Sequence, residues 1–225
     1  MKRTHIIGLL IVAIGVGVLI LDGELSRLDG WLMIGALGLT LVHVVRGEVD
    51  DPARQIESED EPLPHLRPLR AWLTFAFGLL LLVISSRMLV WGAVQIAEKL
   101  GVSELVIGLT IVAIGTSLPE LAATAASAMR GHTEIALGNI IGSNLFNLLA
   151  VMSVPGIVAT QYIGNDVLHR DYPTMTAMTF FLAAAIFVSR RRSKSTEGHS
   201  YLGRIVGTLL LSFYGLYYYW LYLTI

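Results

Sequence analysis

Seven apolar runs divide the chain, each of about 17 residues or more and so long enough to cross a roughly 30 Å hydrocarbon core as helix. They fall at His5 to Leu21, Leu28 to Val45, Ala71 to Ala97, Leu105 to Met129, Ile135 to Thr160, Tyr172 to Ser189 and Arg204 to Thr224. Hydrophobic residues are 54% of 225, charged residues 15%, and the mean hydropathy is +0.67, so most of this chain is built to be solvated by lipid. The pattern predicts an all-α integral membrane protein with about seven transmembrane helices. Lys2 and Arg3 ahead of the first run resemble the start of a signal peptide, but Val18-Leu-Ile-Leu-Asp-Gly-Glu24 has no small-x-small cleavage site. That run therefore reads as a retained helix.

Lysine and arginine set the expected orientation. With the N-terminus in the cytoplasm, the inner segments hold twelve basic residues and the outer loops only Arg27, Lys99 and Arg170. This is a strong positive-inside bias, and with seven spans it puts the C-terminus outside. Tyr214, Tyr217, Tyr218, Tyr219, Trp220 and Tyr222 then suit the outer interface. The stretch from Arg46 to Arg70 carries seven acidic residues and four prolines and reads as a solvated cytoplasmic linker. The expected organisation is therefore two helices in 1–46, a linker in 47–70 and five helices in 71–225. The acidic spacing matches no EF-hand loop. With no cysteine, disulfides and thiolate metal sites are excluded.

Gly108-Leu-Thr-Ile-Val-Ala-Ile-Gly-Thr-Ser-Leu-Pro-Glu120 sets the hydroxyls of Thr116 and Ser117, a proline and a carboxylate near the middle of the fourth run. Polar groups at that depth are costly and usually mark an ion or substrate path. Pro119 has no N–H and its ring clashes with the carbonyl four residues back, which predicts a kink or unwinding around Gly115. Thr116 and Glu120 share a face at i, i+4, flanked by Ala113, Ser117, Thr124 and Ser127. The next run repeats the theme with neutral groups: Gly138-Asn-Ile-Ile-Gly-Ser-Asn-Leu-Phe-Asn147 spaces Asn139, Ser143 and Asn147 at i, i+4, i+8. Hydroxyl, amide, carbonyl and carboxylate oxygens suit hard cations such as Na⁺ or Ca²⁺, and not zinc or copper. The plainer reading of any one Ser, Thr or Asn is a hydrogen bond between helices. An intramembrane enzyme with Ser117 as nucleophile lacks support, because neither Gly-x-Ser-x-Gly nor His-Glu-x-x-His occurs and none of the six histidines falls near mid-span.

Gly108 to Glu120 together with Gly138 to Asn147 resembles the alpha-repeat of the calcium/cation antiporter superfamily, which holds the sodium/calcium exchangers and their prokaryotic relatives. Ala97-Glu-Lys-Leu-Gly-Val-Ser-Glu-Leu-Val-Ile-Gly108 is similar to the lead-in of the second repeat in bacterial members. The resemblance implies ten helices in two inverted halves of five, each half lending one alpha-repeat to a central site. It implies a metal site with Glu120 as principal carboxylate, hydroxyls from Thr116, Ser117 and Ser143, carbonyls from Ala113 and Gly142, and a side-chain oxygen from Asn147, where some members carry aspartate. No cofactor is implied; Ca²⁺ and Na⁺ or H⁺ are the transported ions. The partners implied are these ions and the lipid of a prokaryotic plasma (inner) membrane, without nucleic acid.

The resemblance covers the last five spans as a complete second half, with 108–147 as its alpha-repeat, and the first two spans as helices four and five of a first half. No second Gly-Thr-Ser-x-Pro-Glu motif occurs in the 225 residues. Against Ca²⁺, Glu120 alone leaves one uncompensated positive charge in a low-dielectric site, so a second carboxylate from an inverted repeat is required. The expectation is a truncated or partial chain, with a separately encoded first half as the other source of the missing repeat. A non-transporting remnant or partner subunit is the alternative.

Overall fold

Where no water is available, every backbone N–H and C=O must be paired inside its own segment, and long apolar runs resolve as helices. The computed structural model describes residues 3–49, 68–102, 104–193 and 203–224. Its long elements are all helical: α1 (Arg3–Leu19), α2 (Arg27–Val49), α3 (Pro68–Lys99), α4 (Glu104–Ile107), α5 (Ala113–Thr116), α6 (Leu118–Met129), α7 (Thr133–Phe146), α8 (Ser153–Val158), α9 (Tyr172–Ser193) and α10 (Arg204–Thr224). Three five-residue π-helical turns interrupt or extend them, at Gly108–Val112, Asn147–Val151 and Val167–Asp171. Two short strands, β1 (Glu24–Leu25) and β2 (Gln161–Tyr162), pair antiparallel with Glu24 opposite Tyr162.

Among the described residues four helical stretches are long and apolar enough to cross a bilayer: Arg27–Arg46, Pro68–Lys99, Thr133–Val158 and Val167–Ser189. A fifth is the bent pair Thr110–Thr116 and Leu118–Met129. Helix α1 is shorter, at 17 residues, and α10 has 21 residues but gives five of them to tyrosine. Most of the acidic linker expected at 47–70 lies outside the described residues; α2 runs to Val49 and α3 opens at Pro68.

The chain divides into two compact units, one made of Met1–Arg46 with Ile140–Ile225 and the other of Gly47–Asn139. In the first, α1 buries a seam of Ile6, Leu9, Ala13 and Val16 against α9 and the Asn147–Val151 turn. Its outer face leaves Ile7, Ile11, Ile14 and Val18 exposed, as suits a helix with lipid on one side. Tyr172 Oη donates to the Ala13 carbonyl. The start of α2 is closed by a reciprocal capping box: Ser26 N–H donates to Asp29 Oδ2 at 2.9 Å, and Asp29 N–H to Ser26 Oγ at 3.3 Å. Arg170, counted above as an outer-loop cation, is instead buried in the Val167–Asp171 turn. Its Nε donates to Asp171 at 2.6 Å and its guanidinium to Thr224 Oγ1 at 2.6 Å, while Tyr217 Oη donates to Asp171 at 3.1 Å.

In the second unit α3 runs along α4, α5 and α6. Helix α6 turns into α7 through Gly131, whose φ of +84° places it in the left-handed region. Gly131 N–H bonds Ala128 O at 3.1 Å and His132 N–H bonds Ser127 O at 2.9 Å, a Schellman closure that favours glycine at this position.

Close packing of α2 on α8 within the first unit rests on Gly30. A Cβ there would meet Ile157 Cγ1 at 2.7 Å and the backbone at Ile157 N and Ser153 O at 2.9 Å. Gly35, on the same helix, has nothing within 4 Å. Gly30→Ala should therefore destabilise by on the order of 1–3 kcal/mol through overpacking, while Gly35→Ala should be neutral or slightly stabilising through helix propensity. Thermal unfolding of the two variants in detergent, compared side by side, checks this; equal midpoints would contradict the packing argument.

Candidate cation site

The fourth apolar run does not form one helix. Its first irregularity is the Gly108–Val112 turn, where Ala113 N–H reaches back to Gly108 O in the i→i+5 pattern. Such turns occur often at functional sites. Helix α5 then stops at Thr116, Ser117 takes φ −88°, ψ −1°, and α6 restarts at Leu118 with the axis bent by 47°. The break thus falls at Ser117, two residues beyond the expected Gly115. Pro119 is tolerated in the first turn of a helix, where its missing N–H would have had no partner anyway, so the chain restarts around it. Ser117 N–H turns to Ile114 O at 3.1 Å and is shared with Gly115 O.

Ser117-Leu-Pro-Glu120 has the Ser-x-x-Glu form of a capping box. The box is open. Ser117 makes no side-chain cap bond, and Oε2 of Glu120 is buried with no hydrogen-bond partner. Glu120 is half-buried in the first turn of α6, where the helix dipole and free N–H groups favour negative charge. Thr116 Oγ1 spends its proton on the carbonyls of Val112 at 3.0 Å and Ala113 at 3.1 Å, which leaves its lone pairs available. Ala113, Thr116 and Ser117 lie exposed.

Asn139 is spent differently. Its Nδ2 donates to the Glu120 carbonyl at 3.0 Å and to Thr124 Oγ1 at 2.8 Å, tying α7 to the first two turns of α6. For this residue the interhelical reading holds, and it positions the backbone that carries the carboxylate.

Four of the predicted ligands, Ala113, Thr116, Ser117 and Glu120, are gathered in the second unit around the break. The other three, Gly142, Ser143 and Asn147, belong to the first unit. Ser143 Oγ donates to Ile140 O at 3.1 Å, again freeing its lone pairs. Asn147 is exposed and opens the second π-helical turn, with Met152 N–H on its carbonyl at 3.0 Å. A cavity of about 550 Å³ in the first unit, lined by Asn144, Leu148, Met175 and Tyr214 among others, includes none of the predicted ligands.

Sequence reasoning missed one participant. Ser86 of α3 donates from Oγ to the Gly115 carbonyl at 2.7 Å. The available signal was a serine pair inside an apolar run, but Ser85 bonds back to Leu81 O at 2.7 Å and nothing local separates the two. Among the described residues there is no group of three or more His, Cys, Asp or Glu side chains. Hydroxyls, carbonyls and a single carboxylate form an all-oxygen donor set, suited to a hard cation.

Residues 70–223 match the family model for sodium/calcium exchanger proteins. The chain is 42% identical over 194 residues to CaxA of Alkalimonas amylolytica, covering 84% of this chain and 58% of CaxA. It is 35% identical over 213 residues to the inner membrane protein YrbG of Escherichia coli (strain K12), covering 90% of this chain and 61% of YrbG. A solved structure of the sodium-calcium exchanger NCX_Mj, soaked with Na⁺ and Ca²⁺, superposes with a TM-score of 0.71 at 25% identity, covering 95% of this chain and 63% of that one. The chain therefore spans about three-fifths of the length of these relatives. The match over residues 70–223 shows that this membrane-embedded chain belongs to the sodium/calcium exchanger family, a family of antiporters and not of enzymes.

Proposed function

We propose that the chain forms part of a secondary active cation antiporter that exchanges Na⁺ or H⁺ for Ca²⁺ by alternating access, with Glu120 as its principal ion ligand. The open capping box carries this reading. The same serine-x-x-acid arrangement occurs at Ser26 and Asp29, where the acid takes both the Ser26 N–H and its hydroxyl, at 2.6 Å for the latter. At Ser117 and Glu120 neither cap bond forms, and a buried carboxylate oxygen is left unpaired. An uncompensated buried carboxylate is costly in a low-dielectric site and calls for a cation. Thr116, Ser117 and Ser143 would add hydroxyl oxygens, Ala113 and Gly142 carbonyls, and Asn147 an amide oxygen.

A site with one carboxylate does not neutralise Ca²⁺. In this reading the second acid comes from an inverted repeat supplied by sequence beyond these 225 residues, consistent with relatives of which the chain covers 58% and 61%. Residues 1–46 then correspond to the last two helices of a first half, 47–70 to the cytoplasmic linker and 71–225 to the second half, in line with the family match at 70–223. Helices α1 and α10 join the five stretches above to make seven spans, with the N-terminus cytoplasmic and the C-terminus outside. Without the partner half the chain is a non-transporting subunit, a second reading favoured by its single carboxylate.

Calcium uptake into inverted vesicles tests both readings, with the chain produced alone and joined to a first half. Glu120→Gln in the joined protein should raise half-saturating calcium on the order of a hundredfold, equivalent to about 3 kcal/mol; uptake indifferent to this change would rule the assignment out. Asn147→Asp adds a charge to the donor set and should lower half-saturating calcium by about tenfold, because calcium affinity follows ligand charge. A rise in the same measurement would remove Asn147 from the site.

A further inference from the structure

We infer that Ser86 is a positioning residue for the ion site: its hydroxyl holds the carbonyl that Pro119 leaves without its i+4 donor, and so fixes the break that carries Thr116, Ser117 and Glu120. The inference rests on the antiport reading for its effect on ions, but its geometry stands alone.

Helix α3 is 32 residues long and buries only two of them, Ser86 and Ala97. A hydroxyl at one of the only two buried positions of this long helix calls for a partner, and that partner is the Gly115 carbonyl at 2.7 Å. Gly115 is the residue whose carbonyl an unbroken helix would pair with the N–H at position 119, and proline has none. Its remaining backbone donor is Ser117 N–H, which it shares with Ile114 O, the latter at 3.1 Å.

One turn along α3, Val90 covers the other side of the same residue. A Cβ on Gly115 would fall 2.0 Å from Val90 Cγ2, so the close approach exists only because position 115 is glycine. Ser86 and Val90 thus grip one residue of the broken helix, the first by hydrogen bond and the second by shape. Two residues beyond that grip the chain takes its break conformation at Ser117. Movement of α3 would shift the turn from which the ligand oxygens project. Ser85, beside it, spends its hydroxyl on its own helix at Leu81 O and serves as the internal control.

The test pairs hydrogen exchange with ion titration on the full chain in detergent and, joined to a first half, in inverted vesicles. In Ser86→Ala, amide exchange in the peptide covering 113–121 should accelerate about tenfold, as expected for loss of a buried hydrogen bond. The peptide covering 133–146 should be unchanged, and Ser85→Ala and Ser86→Thr should both stay near wild type. Half-saturating calcium for uptake should rise several-fold in Ser86→Ala with the maximal rate within about twofold of wild type. A purely structural serine would lower the yield and maximal rate and leave half-saturation where it was, and that outcome overturns the proposal. Unchanged exchange at 113–121 overturns it as well. If the joined wild-type protein takes up no calcium, the antiport reading fails and the exchange arm decides whether Ser86 fixes the break.

Discussion

A carbonyl or N–H buried in hydrocarbon has no water to fall back on, and the arrangement around the fourth apolar run follows from that scarcity. Proline removes one donor, and the structure shows the neighbours adjusting: Ser117 N–H moves to Ile114, Ser86 reaches over from α3 to Gly115, and Asn139 reaches over from α7 to Glu120. The π-helical turn ahead of Ala113 adds a residue to the ladder without leaving its terminal N–H free. The group not absorbed by this accounting is Oε2 of Glu120. Irregular backbone and an unspent carboxylate coincide because a break supplies free N–H groups and a dipole end, which tolerate an anion better than any mid-helix position does.

Hydroxyl chemistry divides by the same logic. Thr116 and Ser143 give their protons to carbonyls of their own helices, at 3.0 Å for Val112 and 3.1 Å for Ile140, so what they present outward is acceptor only. Asn139 presents its donor side to Glu120 and Thr124 and is spent as a fastener. Residue type did not separate these roles; the direction of the proton did. In the proposed antiporter, one carboxylate and neutral oxygens would leave a divalent ion half-compensated, which is why that proposal calls on a second acid.

Much of this was legible in sequence. Long apolar runs fixed the helices because lipid leaves the backbone few alternatives, and the Pro119 break was visible because a missing N–H is a local property. Its placement was off by two residues because a proline can also be absorbed in the first turn of a new helix, and only packing selects between the two. The π-helical turns carried no readable signal: an i→i+5 bond at Gly108 or Asn147 depends on neighbours and not on composition. Ser86 was hidden for a related reason, since Ser85 and Ser86 look alike until one of them finds a carbonyl 29 positions away. The burial of Arg170 was not readable because its partner Thr224 lies 54 positions along the chain, and Tyr217, which bonds the neighbouring Asp171, lies 46 from that residue. Local chemistry was readable, and tertiary pairing was not.

The α6–α7 turn has a consequence for how the chain is made. Its bonds are local: Gly131 closes the turn within three residues, and Asn139 finds Glu120 at a separation of 19. This hairpin, with the backbone of Glu120 already held, can form as soon as its own two segments have entered the bilayer. Helix α1 is in the opposite situation, because Tyr172, which bonds its Ala13 carbonyl, lies 159 residues downstream. At 5–20 residues per second the first helix waits roughly 10–30 s in the membrane with that seam uncovered. Over that interval α1 is more exposed to competing contacts than the α6–α7 hairpin, which closes on itself almost at once.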